Sequence, residues 1–463
     1  MIFSEPRFLY FFAIVFVVSF SLRANRWRKL WLLACSYAFY ANWDVRFLSL
    51  LLISTGVDFV IGRRLERASA PRARKLLLAT SLGINLGILG LFKYLGFFID
   101  SAASFSAWLG LPLSVSTLSL VLPMGISFYT FQTLSYTIDV YRGRMRPVHS
   151  VLDFALFVAF FPQLVAGPIV RASEFLPQLA RAPKITEIEF RRYLVLFLIG
   201  FVKKACIADR IAQIIDPVYQ DPAAFEASSQ WLASLLYTTQ IYCDFSGYSD
   251  MAIASMGLLG YRLTINFDFP YLARSIRSFW RRWHISLSTW FRDYLYIPLG
   301  GNRTGGGRTG LNLVVVFLLC GLWHGASWNF VLWGAFHGTF LALERRFPVD
   351  KLPVAIGWIY TLLVVNLAFV IFRAQDLDVA GQLLGGMFGL TKSTAVPALT
   401  LPSSWWLLLA GLLVVHVMQK RRSLLSRVER FPSWAFAAAY GTAVALVLPW
   451  VVTQYTPFIY FQF

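Results

Sequence analysis

Charged residues are scarce in this chain, and their scarcity excludes most classes of soluble protein. They make up 14% of the 463 residues, whereas hydrophobic residues make up 57% and aromatic residues 17%. The mean hydropathy of +0.61 is typical of a polytopic membrane protein. Because only helices and closed barrels satisfy their backbone polar groups in lipid, we expect an all-α protein that crosses a bilayer many times.

Acidic residues are the scarcer charge: 23 Asp and Glu stand against 42 Lys and Arg, giving a formal net charge of +19. Such an excess occurs in nucleic-acid-binding proteins, but here the basic residues lie in short loops between apolar tracts. In loops of this kind Lys and Arg act as topology signals and as contacts to anionic lipid. We therefore expect the lipid bilayer as a partner and no nucleic acid.

Cysteines and familiar catalytic motifs are also few or missing. The four cysteines lie in apolar surroundings without a C-x-x-C spacing, which favours core packing over a disulfide or metal framework. The chain has no G-x-S-x-G, H-E-x-x-H or Walker sequence and no metal-ligand spacing, so we predict no metal and no bound cofactor. Without internal repeats, residues 1–463 are interpreted as one domain.

The charges of the loops predict a topology. The densest basic loop, residues 63–75, is placed in the cytoplasm, and the acidic loop 216–229 is placed outside. Continuing this alternation gives roughly ten transmembrane helices. Both termini are then on the outer side. Residues 151–170 are apolar but contain Pro162, Gly167 and Pro168, which predicts a re-entrant segment.

Residues 311–343 carry no formal charge, yet they contain His324, His337 and glycines at positions 321, 325, 334 and 338. The basic loops on either side of this tract, including residues 420–430, should all be cytoplasmic, so the tract must begin and end on one side. Its 33 residues are too few for two full spans of roughly 20 residues each. We expect a bent helical pair that turns near residues 321–325 and holds His324 deep in the membrane.

The segment before this tract predicts an amphipathic helix that lies at the membrane interface. Apolar residues recur at steps of three and four, at Leu272, Ile276, Phe279, Trp283, Leu287, Trp290 and Tyr294. Arg274, Arg281 and Arg292 fall on the opposite face, where they would contact phosphates while the aromatic side chains contact acyl chains. His284 lies on the flank of this helix.

Histidine acting alone or in a pair as a general base is the chemistry that these residues leave available. An ionisable group at membrane depth is costly and by default marks a functional site, which favours a catalytic or proton-handling role for His324. The alternative is a buried histidine bonded to a carbonyl. For His284 the alternative is headgroup binding, and His337 is interpreted as structural.

Two aspartates, Asp244 and Asp250, lie in an apolar stretch that also contains Gly247. Buried carboxylates must be paired or hydrogen-bonded. We expect them to stabilise a helix break at Gly247.

Three motifs carry a resemblance to a known family. Residues 279–303 read FWRRWHISLSTWFRDYLYIPLGGNR, residues 322–329 read LWHGASWN, and residues 334–338 read GAFHG. Further matches lie at residues 92–94, 123–131, 161–168, 244–250 and 458–463. Together they resemble the membrane-bound O-acyltransferase family, and they are most similar to its bacterial alginate O-acetylation subfamily.

The resemblance implies a central funnel, a catalytic histidine at His324 and a second one at His284. Substrate-binding residues are then expected at Trp283, Arg281, Arg282 and Asn329, since arginines near the histidines would attract an anionic donor. It also implies that an acyl group, expected to be acetyl, passes from a cytoplasmic thioester to the outside of the bacterial inner membrane. The donor would be acetyl-coenzyme A or an acyl carrier protein, and periplasmic proteins would place the group on a secreted polysaccharide such as alginate.

Two alternatives stay open. D-alanyl transfer within the same family uses similar histidines, so the motifs do not fix the acyl group. A proton-coupled transporter or flippase would also hold histidines in the membrane, but such proteins often have two related halves, which this sequence lacks.

Overall fold

A computed structural model of the chain describes residues 3–111, 120–303, 305–391, 398–421 and 431–452, with side chains of 419–421 left out. Within these ranges the backbone forms helices and loops and no strand, so the all-α prediction is confirmed. The structure divides into two compact units. The first consists of residues up to Ile188 together with Ser255–Thr264, and the second consists of Glu189–Ala254 together with residues from Ile265 onward.

The first unit contains nine α-helices within its described residues, and α3 packs against α4, α6 and α7. They are α1 (Pro6–Ser21), α2 (Asn25–Ala41), α3 (Leu48–Arg67), α4 (Pro71–Leu89), α5 (Leu95–Trp108), α6 (Ile126–Tyr141), α7 (Val151–Ala159), α8 (Phe161–Leu164) and α9 (Ala172–Phe175). A π-helical turn, Gly90–Tyr94, joins α4 to α5.

The interruption predicted between residues 151 and 170 is present. Helix α7 ends at Ala159, and α8 starts after Phe160 with a proline in its first turn. The side chains of residues 154–170 are all buried. The amides of Gln132 and Gln163 both donate to the Phe157 carbonyl, at 2.5 and 2.6 Å. Broken backbone is tolerated here because protein surrounds it and supplies hydrogen bonds.

The second unit carries the predicted site. Its described helices are α10 (Phe190–Phe201), α11 (Asp209–Gln220), α12 (Ala227–Leu258), α13 (Ile276–Trp280), α14 (Ile285–Phe291), α15 (Gly306–His324), α16 (Trp328–Arg346), α17 (Val354–Arg373), α18 (Leu377–Met387), α19 (Ser403–Arg421) and α20 (Ser433–Val447). A π-helical segment, Val202–Ala208, joins α10 to α11.

Five helical segments within the described residues are long and apolar enough to cross a membrane, judged by length and composition. They are Val45–Arg67, Pro71–Trp108, Gly306–His324, Val354–Arg373 and Ser433–Trp450. Two shorter apolar helices, Pro6–Ser21 and Ser403–Met418, add to them. This pattern agrees with a polytopic membrane protein.

Helices α15 and α16 form the predicted helical pair, with the turn at Gly325–Ser327. The length argument made for it is wrong, because both helices extend past the uncharged tract into Arg308 and Arg346. Each has 19 residues and is therefore about 28 Å long, close to a full span. The pair is a hairpin of nearly full-length helices rather than a short re-entrant segment.

The interfacial helix predicted around residues 272–294 is not one helix. Helix α13 ends at Trp280, and α14 begins only at Ile285. The apolar stripe is real, but Phe279, Trp283 and Leu287 are buried in protein. The periodicity therefore reflects packing against other helices rather than contact with acyl chains, although Arg281 is exposed as expected.

The helix break expected at Gly247 is also wrong, since α12 continues through it. A Cβ at Gly247 would lie 2.6 Å from the Gly200 carbonyl oxygen, so this glycine instead permits α10 and α12 to approach closely. The pairing of the two aspartates is confirmed. Asp250 lies 2.7 Å from Lys203, and Asp244 lies 2.6 Å from Lys204.

Some predictions concern residues outside the described ranges. These are residues 422–430 of the last basic loop and the C-terminal motif at 458–463. Their topology and contacts stay predictions.

Candidate active site

His324 is the last residue of α15, and it is held among aromatic rings. Its ring lies 5.0 Å from the rings of Trp323 and Trp333 and 5.3 Å from that of Phe372, each in an edge-on arrangement. Only 5% of the residue is exposed. Gly325 follows with an extended backbone and ends the helix, so the hairpin turn fixes the position of the histidine.

His284 occupies the break between α13 and α14. Its backbone is left-handed, with φ 44° and ψ 55°, a conformation that costs a non-glycine residue roughly 1–2 kcal/mol. The side chain is fully buried. Its Nδ1 lies 3.2 Å from Oδ1 of Asn266, and its ring packs edge-to-face with that of Phe245, with the ring centroids 4.6 Å apart. The surrounding contacts must stabilise this strained turn.

The structure brings the two predicted catalytic histidines together. Their ring centroids are 6.5 Å apart. That separation is too long for a direct hydrogen bond between the rings. His324 lines a cavity of about 10 Å³ whose other walls are Ile241, Phe245, Trp283, Trp333, Phe369 and Phe372. This volume has room for about one water molecule, so a substrate requires side chains to move.

Helix α16, the second helix of the hairpin, also contacts residues 276–280, which precede His284. Nε1 of Trp280 donates to Nδ1 of His337 at 3.3 Å. The Glu344 carboxylate accepts the backbone N–H groups of Ile276 at 2.6 Å and of Arg277 at 3.0 Å, which caps α13. These contacts agree with the structural interpretation of His337.

The four residues predicted to bind substrate do not share one environment. Trp283 shares the small cavity with His324. Arg281 is exposed, and Arg282 lies 3.5 Å from the carboxylate of Asp268. Asn329 donates its amide to the carbonyl of Ala374 at 2.8 Å, where α17 leads into α18, and it does not line the cavity.

Several residues that form the site were not predicted from the sequence. Asn266 and the two α17 phenylalanines, Phe369 and Phe372, carry no motif that reveals a role. Lys203 and Lys204 did carry a signal, because two lysines within an apolar tract are costly unless they are paired. Their partners, Asp250 and Asp244, both lie on α12, the helix that also brings Phe245 to His284.

This arrangement suits transfer of a proton to the imidazole of His324. The side chains that line the cavity are apolar or aromatic apart from His324, so an imidazole is the available base there. The aromatic walls leave room for about one water molecule, and in such a nearly dry site hydrogen bonds to a reacting oxygen are stronger than in bulk water. Within the described residues, no group of three His, Cys, Asp or Glu side chains is arranged to hold a metal ion.

Comparisons with known proteins point in one direction. Residues 144–349, which include both histidines, match the model of the membrane-bound O-acyltransferase family. The "Probable alginate O-acetylase AlgI" of Azotobacter vinelandii is 44% identical over 394 residues, covering 84% of this chain and 78% of the relative. The "Peptidoglycan O-acetyltransferase" of Helicobacter pylori is 37% identical over 428 residues, covering 84% and 80%. The "Teichoic acid D-alanyltransferase" of Streptococcus thermophilus is 28% identical over 288 residues, covering 55% and 69%.

Proposed function

The chain belongs to the membrane-bound O-acyltransferase family, and on that premise we propose that it passes an acetyl group across the bacterial inner membrane. The group would come from a cytoplasmic thioester and would be used for O-acetylation of a secreted polysaccharide such as alginate. The two relatives named for O-acetyl transfer are 44% and 37% identical to this chain, and the relative named for D-alanyl transfer is 28% identical. Because the relatives named for O-acetyl transfer have the higher sequence identities, acetyl is favoured over D-alanyl as the transferred group.

The observation that carries the proposal is the pair of buried histidines 6.5 Å apart. In the proposed reaction, His324 accepts the proton of an attacking hydroxyl group as the new oxygen–carbon bond forms at the acyl carbonyl. The carbon–sulfur bond of the thioester breaks, and the proton passes from His324 to the departing sulfur. His284 orients the donor or assists this proton transfer.

The donor we propose is acetyl-coenzyme A or an acyl carrier protein. Both carry phosphate groups, and the exposed arginines around α13, such as Arg274, Arg277 and Arg281, would attract them from the cytoplasm. In the proposed topology, roughly ten spans surround a central funnel, and both termini are periplasmic.

Substituting His324 tests this proposal. His324→Ala should abolish acylation, since a general base contributes about 10²–10⁴-fold to such reactions. The assay complements a strain that lacks the gene and measures ester-linked acetate released from its surface polysaccharide by mild alkali. His149→Ala is the matched control, because that histidine is exposed and contacts Glu66 on another part of the chain. Acetate at the wild-type level in the His324 variant would remove its catalytic assignment.

We also propose that a periplasmic protein completes the transfer. The predicted external segments are too short to form a domain of about 50 residues, and the longest runs from 374 to 401. A bulky hydrophilic polymer is unsuited to a buried cavity of about 10 Å³, whereas a small acyl group needs only limited side-chain movement to enter. Purified protein in vesicles, with enclosed acetyl-coenzyme A and polymer outside, should acylate the polymer only when periplasmic extract is added. Efficient acylation by the chain alone, lost in His324→Ala, would show that no partner is needed.

A further inference from the structure

The carboxamide of Asn266 lies at the centre of a hydrogen-bond cluster beneath His284. Its Oδ1 is 3.1 Å from the backbone nitrogen of Ser286, 2.9 Å from the Ser286 hydroxyl and 3.2 Å from Nδ1 of His284. The backbone carbonyl of Asn266 also accepts the N–H of Ile285 at 2.9 Å. One buried asparagine therefore contacts three consecutive residues of the strained turn.

The direction of these hydrogen bonds follows from the chemistry of the atoms. The Ser286 backbone N–H can only donate, so the side-chain atom of Asn266 that faces it must be the oxygen. A carboxamide oxygen can only accept, so Nδ1 of His284 must carry a proton. In the neutral ring, the lone pair is then on Nε2.

His337 provides an internal contrast. The indole N–H of Trp280 can only donate, so Nδ1 of His337 must accept, and the proton of its neutral ring is on Nε2. Two fully buried histidines of the same unit are therefore held in opposite tautomers by their neighbours.

We propose that Asn266 is a positioning residue, which fixes the Nδ1–H tautomer and the orientation of His284 so that Nε2 serves as the proton acceptor. This inference rests on the proposed role of His284 in acyl transfer. A neutral partner such as this carboxamide adds no charge beside the ring, whereas a carboxylate would favour the doubly protonated ring. His324 is a titratable ring near His284, with the ring centroids 6.5 Å apart.

The first test measures the tautomer directly and does not depend on activity. In protein labelled with ¹⁵N-histidine, the ring-nitrogen shifts distinguish protonated from unprotonated nitrogens, and His284→Gln and His337→Gln identify the two signals. We expect Nδ1–H at His284 and Nε2–H at His337. In Asn266→Leu the His284 signal should change while that of His337 does not. Nε2–H at His284 in the wild-type protein, or an unchanged signal in Asn266→Leu, would overturn the inference.

The second test measures cleavage of acetyl-coenzyme A by the purified protein as a function of pH. Asn266→Leu should lower turnover at least tenfold, since the general base contributes about 10²–10⁴-fold. Asn266→Asp keeps an oxygen at the same place, and Ser249 can donate to the second oxygen, so this variant should fold and retain turnover. Its carboxylate stabilises the protonated ring, so the acid limb of the pH–rate profile should move to higher pH.

Asn366→Leu is the matched control. Asn366 is another buried asparagine of this unit, and its amide bonds to Ser234 and Thr238 rather than to a histidine. It should lose comparable stability without changing the pH profile or the His284 signal. An Asn266→Asp profile identical to the wild type would overturn the positioning role. Wild-type turnover in His284→Gln would instead refute the role of His284 in the proposed function. In that case the tautomer measurement would still test whether Asn266 fixes the protonated nitrogen of His284.

Discussion

The close packing of α15 against α16 depends on glycines, where an added methyl group would collide with the facing helix. A Cβ at Gly338 would lie 2.7 Å from Cα of Val314 and 3.3 Å from the carbonyl oxygen of Leu313. Both neighbours are backbone atoms, so no side-chain rotation can relieve the contact. Because carbon atoms normally stay about 3.5–4.0 Å apart, α15 and α16 must separate locally by about 1 Å.

That displacement should impair both stability and activity. Forcing a methyl group into a packed core typically costs about 1–3 kcal/mol. Helix α15 ends at His324, so the displaced helix carries the predicted base with it. A misplacement of about 1 Å can lower the rate by about 10²-fold. We therefore expect Gly338→Ala to lower polysaccharide acetylation about 100-fold and to lower the melting temperature of the purified protein.

Gly310→Ala is a matched control in the same hairpin. There the new Cβ would lie 3.5 Å from Cβ of Ala342, which is an ordinary contact. Both substitutions gain the helix propensity of alanine, about 1 kcal/mol, so their difference isolates the packing effect. The control should acetylate normally and melt no lower than the wild type. If Gly338→Ala also acetylates at the wild-type rate, hairpin packing does not set the position of His324.

Two further predictions concern charge. Cysteines introduced at Thr304 and Ser423, after the native cysteines are replaced, should both be labelled from the cytoplasmic side. We expect this because a hairpin at residues 306–346 returns the chain to the side where it began. Labelling from opposite sides would contradict this topology. Lys203→Met should be destabilised because it leaves Asp250 uncompensated, but by less than the roughly 3–5 kcal/mol of a fully buried pair, since the two side chains are 19% and 21% exposed. Lys203→Met/Asp250→Leu should recover much of that loss. Thermal unfolding in detergent measures both variants, and a double variant less stable than the single one would refute the pairing argument.

Much of the fold follows from the sequence because hydrophobic length and loop charge are strong signals. A helical pair within residues 311–343 and an interruption within residues 151–170 were predicted from glycines, prolines, loop charge and the absence of charge; the structure has the pair at residues 306–346 and the interruption after Ala159. The predicted length of the hairpin failed because helices continue past the last apolar residue. Arg308 and Glu344 continue the helices while marking the ends of the apolar tract.

The site was predicted less completely, for a physical reason. His324 and His284 stood out because ionisable groups in apolar tracts are rare. Their supports did not, since Asn266 and Phe372 are ordinary residues whose roles arise only from long-range contacts. The period of three and four around Trp283 identified the apolar stripe, but the stripe was predicted to contact acyl chains and is instead buried in protein, and the period could not reveal that the helix breaks at His284. That break depends on the hydrogen bonds of Asn266, which lies 18 residues earlier.

One helix supports both histidines. The glycines of α16 fit against α15, which ends at His324, while His337 and Glu344 of α16 hold the segment that leads to His284. The 6.5 Å separation of the two rings is therefore set from a common support rather than by a direct bond between them.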